Sequence, residues 1–452
     1  MKKISLNKLN PFKFFSIVKE RSKRFKKAPK NRLPKVYPVN ALAKTLHPAK
    51  QFAKIIQIQD FGQTKTFTFV PDYSHGTNEF AYFSAGQYIT VFLQIGDLKV
   101  SRAYSLSSAP CESLNEKNRF ECENYSEIKK YFKIFHKKGT QEQTIPEEAF
   151  ESGFYQITVK AAPDGLVSNY ILENWTEGTL VEFSAPEGNF DYVDLRDAPT
   201  VVGIAGGSGI TPFLSYAKSI CSGDESFNLI LLYGSRDSSS ILFKTDFDIL
   251  EKYTYKIKVV HVLSNQEDFD NVNLNNEDLN KDDLTEKSFE KGFVTAELIK
   301  KYATKSSYSV FLCGPQTMYK FMEGELAKLN LQKKYIRREM FGEIHGAKTQ
   351  DNYPGTELSE VSITVTICDE TKTVKGNPDD TILQILEKNG ISVPARCRSG
   401  ECGWCHSLLK KGHVFIPQKM DYRRKADVKY NYIHPCCTFA LSDLELDVPP
   451  SK

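Results

Sequence analysis

The chain has 452 residues, of which 26% are charged and 40% are hydrophobic. That length accommodates about three domains, and the composition is typical of a globular protein. A net charge of only +4 does not indicate nucleic-acid binding. No apolar run reaches the roughly 18 residues of a membrane span, so none is predicted. The ten cysteines do not read as a disulfide framework, which favours a reducing, cytoplasmic location.

The N-terminal extension, residues 1–47, is strongly basic. Residues 1–35 contain thirteen Lys or Arg and one acidic residue, Glu20. An apolar group lies within this stretch and comprises Phe12, Phe14, Phe15, Ile17 and Val18. No continuous apolar segment follows the early lysines, so a signal peptide is not predicted. Two interpretations stay open. One is an interfacial helix that docks on anionic lipid at the inner membrane face, or on an acidic redox partner, and the other is a solvated tail.

Residues 48–196 are predicted to form a small antiparallel β-barrel, because short β-type runs alternate with turns at nearly even spacing. The predicted strands are Ile55–Gln59, Thr64–Val70, Tyr88–Ile95, Tyr131–Phe135, Tyr155–Lys160 and Leu180–Ser184. Residues 112–152 are more polar and charged than their surroundings, and a surface insertion is the default prediction for them.

Two short motifs in this barrel are suited to holding a flavin. The first is Arg-Ala-Tyr-Ser-Leu, beginning at Arg102. Arg102 can pair bidentately with a pyrophosphate, Tyr104 offers an aromatic face to the ring system, and the Ser105 hydroxyl can reach flavin N5. Taken alone this motif is weak, because a surface ion pair and a core aromatic explain Arg102 and Tyr104 about equally well.

The second motif is Gly-Leu-Val-Ser, residues 165–168, at the start of a predicted short helix. Gly165 permits close approach of the backbone to a ligand. Val167 and Ser168 present N–H groups and a hydroxyl to phosphate at the helix N-terminus.

From about residue 197 to 345, strands and helices alternate, which predicts a doubly wound parallel α/β sheet. The predicted strands are Thr200–Ala205, Leu229–Tyr233, Lys256–Leu263 and Ser309–Cys313, and a helix is predicted from Pro212 to Ile220. Residues 265–290 carry nine acidic residues against two lysines, and a surface insertion is again the default.

A glycine loop follows the first of these strands and opens the helix, which is the context that a phosphate-binding loop requires. Its candidate binding residues are Gly206, Gly207, Ser208, Gly209, Thr211 and Pro212. Proline suits the first helical turn. Cys313, Gly314 and Pro315 end another strand at the carboxyl edge of the sheet, where doubly wound folds bind their ligands.

Residues 346–358 are predicted to be a polar linker, and residues 359–452 to form a last domain. Its predicted elements are the strands Val361–Ile367 and Thr371–Lys375 and the helix Thr381–Asn389. Cys397, Cys402 and Cys405 then follow the spacing C-x4-C-x2-C. With a distant fourth cysteine this is the ligand pattern of plant-type [2Fe–2S] ferredoxins. A zinc site would normally contain two C-x2-C pairs, and only one is present.

Two adjacent cysteines compete for the fourth ligand position. Cys436 precedes Cys437 and a short strand, as the fourth ligand does in the ferredoxin segment that this stretch resembles. We therefore predict Cys436 as the ligand and Cys437 as a packed thiol.

In this order, the motifs resemble the ferredoxin–NADP reductase superfamily, and within it the reductases with a C-terminal [2Fe–2S] domain, such as phthalate dioxygenase reductase and hybrid-cluster-protein reductase. The resemblance covers roughly residues 50–450. It implies an antiparallel β-barrel for the flavin, a doubly wound α/β domain for the nicotinamide and an α+β β-grasp ferredoxin domain. FAD is favoured over FMN because residues 165–168 resemble the pyrophosphate site of FAD-dependent members.

The resemblance also implies roles for individual residues. Cys313, Ser105 and Glu339 would place the nicotinamide against the flavin, and Phe341 would close on the flavin beside Glu339. Electrons would pass from NAD(P)H through FAD to the cluster and on to an external redox protein. Two other functions stay open: a self-contained flavin enzyme that reduces a small molecule or oxygen, and a subunit that only binds its cofactors. The presence of all three hydride-site residues disfavours the last.

The preferred nucleotide is predicted to be NADH. Arg236 and Lys244 are the cations available near the second strand end, but Arg236 is equally suited to contact a ribose. At the next strand end, Asn265 stands where NADP-dependent relatives tend to carry arginine, and Glu267 and Asp268 follow. Those carboxylates would repel the 2′-phosphate of NADP.

Overall fold

The computed structural model describes residues 11–27, 48–136, 145–163, 165–265, 267, 288–303, 307–340, 342, 344, 346–355 and 358–450. The chain divides into two compact units, Met1–Thr45 and Leu46–Lys452. The described part of the first unit is helix α1, Pro11–Lys27, on which Phe15, Ile17 and Val18 are exposed. The side chains of Phe12 and Phe14 lie outside the described residues. No described helix has the length and apolar character needed to cross a membrane.

The second unit begins with a six-stranded antiparallel sheet in the order β4-β3-β6-β1-β2-β5. Its strands are β1 Gln51–Asp60, β2 Thr64–Pro71, β3 Tyr88–Ile95, β4 Leu98–Ser105, β5 Tyr155–Lys160 and β6 Leu180–Phe183. A bridge between Leu106 and Ile157 joins the end of β4 to β5, so the sheet curls into the predicted barrel. Alternate residues of each strand, such as Phe67 and Phe69, fill its interior.

Residues 112–152 contain helices where one strand was predicted. They are α2 Glu116–Phe120, α3 Tyr125–Phe135 and α4 Glu147–Ser152, followed after β5 by α5 Leu166–Asn174. The predicted strand Tyr131–Phe135 is therefore wrong. Ile128, Tyr131 and Phe135 are buried at positions i, i+3 and i+7, which is the stripe of an amphipathic helix. The stretch was predicted as a strand because a short apolar run shows too little periodicity to distinguish a strand from a helix.

Residues 197–345, the predicted nicotinamide domain, contain a six-stranded parallel sheet in the order β10-β9-β8-β7-β11-β12. Its strands are β7 Thr200–Gly206, β8 Asn228–Ser235, β9 Ile257–Leu263, β10 Ser288–Lys291, β11 Tyr308–Cys313 and β12 Ile336–Glu339. Its helices are α6 Thr211–Ser222, α7 Lys244–Tyr253, α8 Ala296–Tyr302 and α9 Gln316–Ala327. All four predicted strands and the predicted helix are present. Most of the acidic stretch 265–290 lies outside the described residues.

The segment 112–152 is not a surface insertion in its described part, because it packs against α6 of the nicotinamide domain. Ile128, Tyr131 and Phe135 share one buried cluster with Phe213 and Ala217 of that helix. An apolar stripe of this size needs a partner surface, and the nicotinamide domain supplies it. The segment is therefore part of the junction between the two domains.

A buried polar network lies at the same junction. Glu112 is completely buried, and Tyr131 Oη donates a hydrogen bond of 2.6 Å to its Oε1. His136 Nε2 lies 2.7 Å from the same oxygen, and Lys218 Nζ of α6 lies 3.5 Å from Oε2. Lys218 also donates to Gln156 of the barrel at 3.1 Å. One carboxylate thus ties the segment to both domains.

The last domain has a mixed five-stranded sheet in the order β14-β13-β19-β15-β17 and a two-stranded β16-β18 pair. Its strands are β13 Val361–Ile367, β14 Glu370–Gly376, β15 Ser407–Lys411, β16 Val414–Phe415, β17 Tyr432–Ile433, β18 Phe439–Ala440 and β19 Leu444–Asp447. Its helices are α10 Ile382–Lys388 and α11 Lys425–Lys429. Thr381 caps α10, which packs on the sheet in the β-grasp arrangement that was predicted. Ala347, within the predicted linker, is also buried in this core.

Candidate functional site

Three predicted residues meet where the barrel touches the parallel sheet. Ser105 ends β4 of the barrel, and its hydroxyl donates a hydrogen bond of 3.2 Å to Glu339 Oε2 at the end of β12. Cys313 ends the neighbouring strand β11 and is in register with Glu339. All three side chains are buried. The ends of three strands therefore bring together the three residues that were predicted to place the nicotinamide.

Burial controls the protonation of this site. The pKa of Glu339 is raised well above its usual value by burial, against the hydrogen bond from Ser105, and the nearby Glu401 raises it further. Burial and the Glu339 charge likewise raise the pKa of the Cys313 thiol. Burial therefore disfavours the charged form of both groups.

Two tyrosines that the sequence motifs did not indicate also contact this site. The Tyr319 hydroxyl donates to the main-chain carbonyls of Glu339 and Leu312, which fixes the ends of β12 and β11. Tyr88 of β3 is paired in register with Ser105. Burial is the main cause of its raised pKa, and the charges of Cys402, Cys397 and Glu339 add to the shift. No short motif marks either tyrosine.

The glycine loop meets the Cys-Gly-Pro strand end as predicted. Residues 207–210 form a 3₁₀ turn between β7 and α6, and Pro212 lies in the first turn of the helix. Thr211 Oγ1 donates to the Ser208 carbonyl at 3.1 Å. A Cβ added to Gly209 would overlap the Cys313 carbonyl, so only glycine allows the two loops to touch.

The remaining nicotinamide-side candidates lie at the same carboxyl edge of the sheet. Gly314 lies beside Gly206, and Pro315 precedes α9 as its N-terminal cap residue. Arg236 follows β8, and its carbonyl accepts a hydrogen bond of 2.8 Å from the Asn265 N–H. Phe341 lies outside the described residues.

The two flavin motifs lie on different elements of the barrel. Arg102 and Tyr104 lie on β4, three residues and one residue before its last residue, Ser105. Gly165 is the N-cap residue of α5, and a Cβ added there would stand 2.5 Å from Ser168 Oγ. Ser168 Oγ accepts a hydrogen bond of 3.3 Å from the Ala162 N–H. Val167 is buried and contributes packing to the barrel core.

The four predicted cluster ligands stand as two pairs of thiols. Cys397 Sγ accepts a hydrogen bond of 3.3 Å from the Cys402 N–H, and Cys402 Sγ accepts one of 3.5 Å from the Trp404 N–H. Cys405 Sγ lies 3.3 Å from Cys436 Sγ. The described residues contain no group of three ligands placed around a single metal ion. Two thiol pairs with N–H donors fit a two-iron cluster, in which each iron takes two cysteines.

Hydrogen bonds in the loop lower the pKa of one of the four thiols, whereas the pKa values of Cys402, Cys405 and Cys436 are raised. A hydrogen bond from the Cys402 thiol is the largest cause that lowers the pKa of Cys397 to about 5, and Ser399 adds to it. A thiolate, not a thiol, is the form that binds iron.

Cys437 is buried on the outer side of the cysteine loop. Its thiol donates to the main-chain carbonyls of His434 at 3.5 Å and Met420 at 3.6 Å. Gly400 of the loop has φ +87°, and a Cβ added there would stand 2.8 Å from Cys437 Sγ. Cys437 therefore packs against the main chain of the loop at Gly400.

The cysteine loop is docked on the strand that carries the first flavin motif. Lys99 and Ser101 of β4 donate hydrogen bonds to Ser392 Oγ, at 3.1 Å, and to the Ala395 carbonyl. Arg396 forms an ion pair with Glu187 of the barrel. Its guanidinium also lies 3.6 Å from the Trp404 ring centroid. The residue next to a predicted cluster ligand thus anchors the loop to the flavin domain.

A second polar bridge joins the flavin motif to the ferredoxin domain. Glu387 of α10 lies 3.7 Å from Arg102 Nη2. The same carboxylate accepts hydrogen bonds of 2.9 and 2.6 Å from the fully buried Arg398. Sequence motifs gave no sign of Glu387, Arg396 or Arg398, because each acts through a partner distant in sequence.

Three family models match the chain. The oxidoreductase FAD-binding domain matches residues 128–192, the oxidoreductase NAD-binding domain residues 204–324, and the 2Fe-2S iron-sulfur cluster binding domain residues 365–441. The first match does not include the motif that begins at Arg102. Together the three domains occur in the order predicted from the motifs.

Similar proteins include reductase components of oxygenases. The ferredoxin reductase component of 3-ketosteroid-9-alpha-monooxygenase from Rhodococcus rhodochrous is 26% identical over 66% of this chain and 80% of its own length. The glycine betaine monooxygenase reductase subunit of Chromohalobacter salexigens is 22% identical over 86% of this chain and 93% of its own length. Among solved structures, phthalate dioxygenase reductase shares the fold, with a TM-score of 0.54 and 20% identity over 89% of this chain and 98% of that chain.

The chain has the architecture of the ferredoxin–NADP reductase superfamily, with FAD-binding, NAD-binding and C-terminal 2Fe-2S domains. It is an NAD(P)H-dependent oxidoreductase that delivers electrons to an external redox protein. A self-contained flavin enzyme would not require the ferredoxin domain, so that alternative is disfavoured.

Proposed function

We propose that the protein is the reductase component of an oxygenase-type system, and that Ser105, Cys313 and Glu339 orient the nicotinamide for hydride transfer. The observation that carries this proposal is the 3.2 Å hydrogen bond between Ser105 and Glu339 beside Cys313, at the seam of the two nucleotide domains. The oxygenase acceptor is inferred from the relatives, which serve monooxygenases. When bound, FAD accepts two electrons as a hydride, and a [2Fe–2S] cluster releases them one at a time.

The residues of this chain are proposed to orient the two cofactors and to exclude water from the reacting atoms. The loop of residues 206–209, with Thr211, Arg236 and Pro315, is proposed to hold the nucleotide. Arg102, Tyr104 and residues 165–168 are proposed to hold the flavin. Buried strand ends around Cys313 are proposed to keep water from the reacting atoms.

The test compares the parent holoenzyme with Cys402→Ser under anaerobic stopped flow. NADH should bleach the flavin at a similar rate in both proteins. Reduction of cytochrome c, a one-electron acceptor, should be lost in the variant because the cluster is no longer on the path. Full-rate turnover of an acceptor by Cys402→Ser would instead support the self-contained flavin enzyme.

The ligand set is proposed to be Cys397, Cys402, Cys405 and Cys436. Its sharpest test uses the adjacent pair of cysteines as matched variants. Cys436→Ser should lose the visible absorbance and EPR signal of the cluster, whereas Cys437→Ser should retain both. The opposite result would exchange the roles of the two residues.

NADH is the proposed nucleotide. Lys244, the second cation considered for a 2′-phosphate, lies in α7 and pairs with Asp248 at 3.6 Å. Asp237, directly after Arg236, caps the turn 238–240 and keeps a carboxylate near the candidate site. Steady-state kinetics with both nucleotides test this proposal, and a kcat/KM for NADPH above that for NADH would refute it.

The basic N-terminus is proposed to dock the chain on an anionic membrane surface from the cytoplasmic side. Helix α1 exposes Phe15 and Val18 on one face and ends in Arg24, Lys26 and Lys27. Such a helix binds an interface through its apolar face and basic flank. The full chain should sediment with phosphatidylglycerol vesicles but not with phosphatidylcholine vesicles, and Phe15→Ser/Val18→Ser should weaken binding. Equal behaviour with both vesicles would favour a solvated tail.

A further inference from the structure

The ferredoxin domain exposes a basic surface with an apolar centre. Helix α11 and the residues at its two ends expose Arg424, Lys425, Val428, Lys429 and Tyr430, which together are named the α11 surface. Val428 is 51% exposed and Tyr430 is 59% exposed. Exposed aromatic and apolar side chains ringed by charge are typical of protein–protein interfaces.

This surface lies one side chain away from the cysteine loop. Asp427, on the buried side of α11, lies 3.4 Å from His406 Nε2. His406 directly follows Cys405, and its ring stacks on Tyr432 at 4.1 Å. The packed side chains of His406 and Asp427 therefore connect Cys405 to the α11 surface by a short path for an electron.

The positive charge of the surface is not neutralised within the domain. Residues 419–430 contain five basic and two acidic residues. Asp421 pairs with Arg423 at 2.7 Å, and Asp427 pairs with Arg424 at 2.9 Å. Within the described part of the chain, neither Lys425 nor Lys429 has an acidic partner. Two lysines thus remain available for an acidic surface from outside.

Two other sides of the cysteine loop face the flavin and nicotinamide domains. Arg396 and Glu187 join it to the flavin domain. On another side, Lys419 joins the ferredoxin domain to Glu323 of the nicotinamide domain at 2.6 Å. The described contacts of the α11 surface are all within the ferredoxin domain. A second protein can therefore reach this surface without displacing the flavin or nicotinamide domain, and Cys402 and Trp404 of the loop are also exposed.

We propose that the α11 surface is the docking site of the electron acceptor, and that the acceptor presents an acidic patch beside its own redox centre. This proposal rests on the proposed electron-transfer function. Val428 and Tyr430 form the dry centre of the contact, and Lys425 and Lys429 supply the charge that steers the encounter. Opposite charges raise the association rate and make it sensitive to salt.

The experiment uses the holoenzyme, NADH and two haem-protein probes, the acidic soluble domain of cytochrome b5 and the basic cytochrome c. Lys425→Glu/Lys429→Glu is compared with Lys252→Glu/Lys372→Glu, which makes the same change in net charge at exposed sites outside the α11 surface. The first variant should reduce cytochrome b5 about tenfold more slowly at low ionic strength and lose the salt dependence of that rate. The control should stay within about twofold of the parent, because distant charges are screened.

Equal rates in the two double variants would overturn the proposal, since net charge alone would then set the rate. Carbodiimide coupling to cytochrome b5 gives an independent readout. Cross-links at Lys425 or Lys429 support the α11 surface, whereas cross-links confined to the N-terminal lysines refute it. Reduction of the cluster by NADH is followed in the same samples. If the parent cluster stays oxidised, the proposed function itself has failed, and this outcome is distinct from a failure of docking.

Discussion

The flavin domain has two junctions, one with the nicotinamide domain and one with the ferredoxin domain, and they are built differently. At the first, Glu112 and Lys218 are almost completely buried among aromatic side chains. At the second, Arg396 and Glu187 remain 16% and 25% exposed, and the other contacts are hydrogen bonds and an ion pair. Buried charge pairs are costly to break, while partly exposed pairs are weak and screened by salt.

The difference follows from what each junction must do. Hydride transfer needs two rings held at a fixed distance, and a junction packed like a domain core provides that. Electron transfer to the cysteine loop tolerates a polar junction, provided that the loop stays near the flavin. We expect the first junction to dominate stability and the second to govern the rate of internal electron transfer.

The largest effect is expected from Glu112→Ala, which leaves Lys218 buried without its carboxylate. Breaking such a buried pair should lower the free energy of unfolding by about 3–5 kcal/mol. Chemical denaturation of the holoenzyme measures it, with the exposed Glu116→Ala as the control in the same segment. A loss below about 1 kcal/mol, the range of an exposed ion pair, would show that the network contributes little to stability.

The same residue predicts a pH dependence. Burial alone would raise the pKa of Glu112, but Lys218, His136 and Tyr131 together lower it to about 2 from a usual 4.5. Because the folded pKa is depressed, the carboxylate stabilises the fold above pH 4.5 and loses this contribution as pH falls toward 2. The stabilities of the parent and Glu112→Gln should therefore converge in acid. A gap that stays constant with pH would show that the carboxylate charge is not responsible.

The next effect concerns the hydride site at the nicotinamide junction. Cys313→Ala and Glu339→Gln should each slow flavin reduction by NADH roughly ten- to a hundredfold, because small misplacements of reacting groups are costly. The flavin content should be unchanged. Cys221→Ala, a buried cysteine of α6 away from the seam, is the matched control and should bleach at the parental rate. Unaltered stopped-flow rates in both site variants would remove these residues from the site.

A smaller effect is expected at the ferredoxin junction. Arg396→Gln should slow electron transfer from flavin to cluster by about tenfold while leaving the hydride step unchanged, because the loop loses its anchor to Glu187. Cluster EPR by rapid freeze-quench follows this step. Lys388→Gln, which breaks an exposed ion pair within the same domain, is the control. A changed cluster potential with an unchanged junction would point to a purely electronic role for Arg396.

The smallest effect is the response of the parent protein to salt. Raising the ionic strength should slow internal electron transfer about two- to threefold, because the ferredoxin junction relies on partly exposed ion pairs. Flavin reduction at saturating NADH should change less, since the nicotinamide junction is buried. Stopped flow at two wavelengths measures both steps in one sample. Equal salt sensitivity would contradict the contrast between the junctions.

The sequence by itself determined the local features of the cofactor loops. The glycine loop after β7 and the C-x4-C-x2-C loop were placed correctly, because their chemistry requires particular residues at fixed spacing. Most strands of the barrel and of the parallel sheet were also predicted. Exceptions are Tyr131–Phe135, which is helical, and the short strands β10 and β12, which were not predicted. The stretch Tyr131–Phe135 is helical because Ile128, Tyr131 and Phe135 share a face against α6, and the partner surface is invisible in a local window.

Only the tertiary structure decided how the domains meet. Glu112 finds Lys218, Arg102 finds Glu387, and Arg396 finds Glu187 across large separations in sequence. Apart from Arg102, which belongs to the first flavin motif, none of these charged residues is part of a spacing pattern, so a local reading assigns them to a solvated surface. Their roles arise because burying a charge is tolerated only where folding brings a partner to it, and the choice of partner is made by the packing of whole domains.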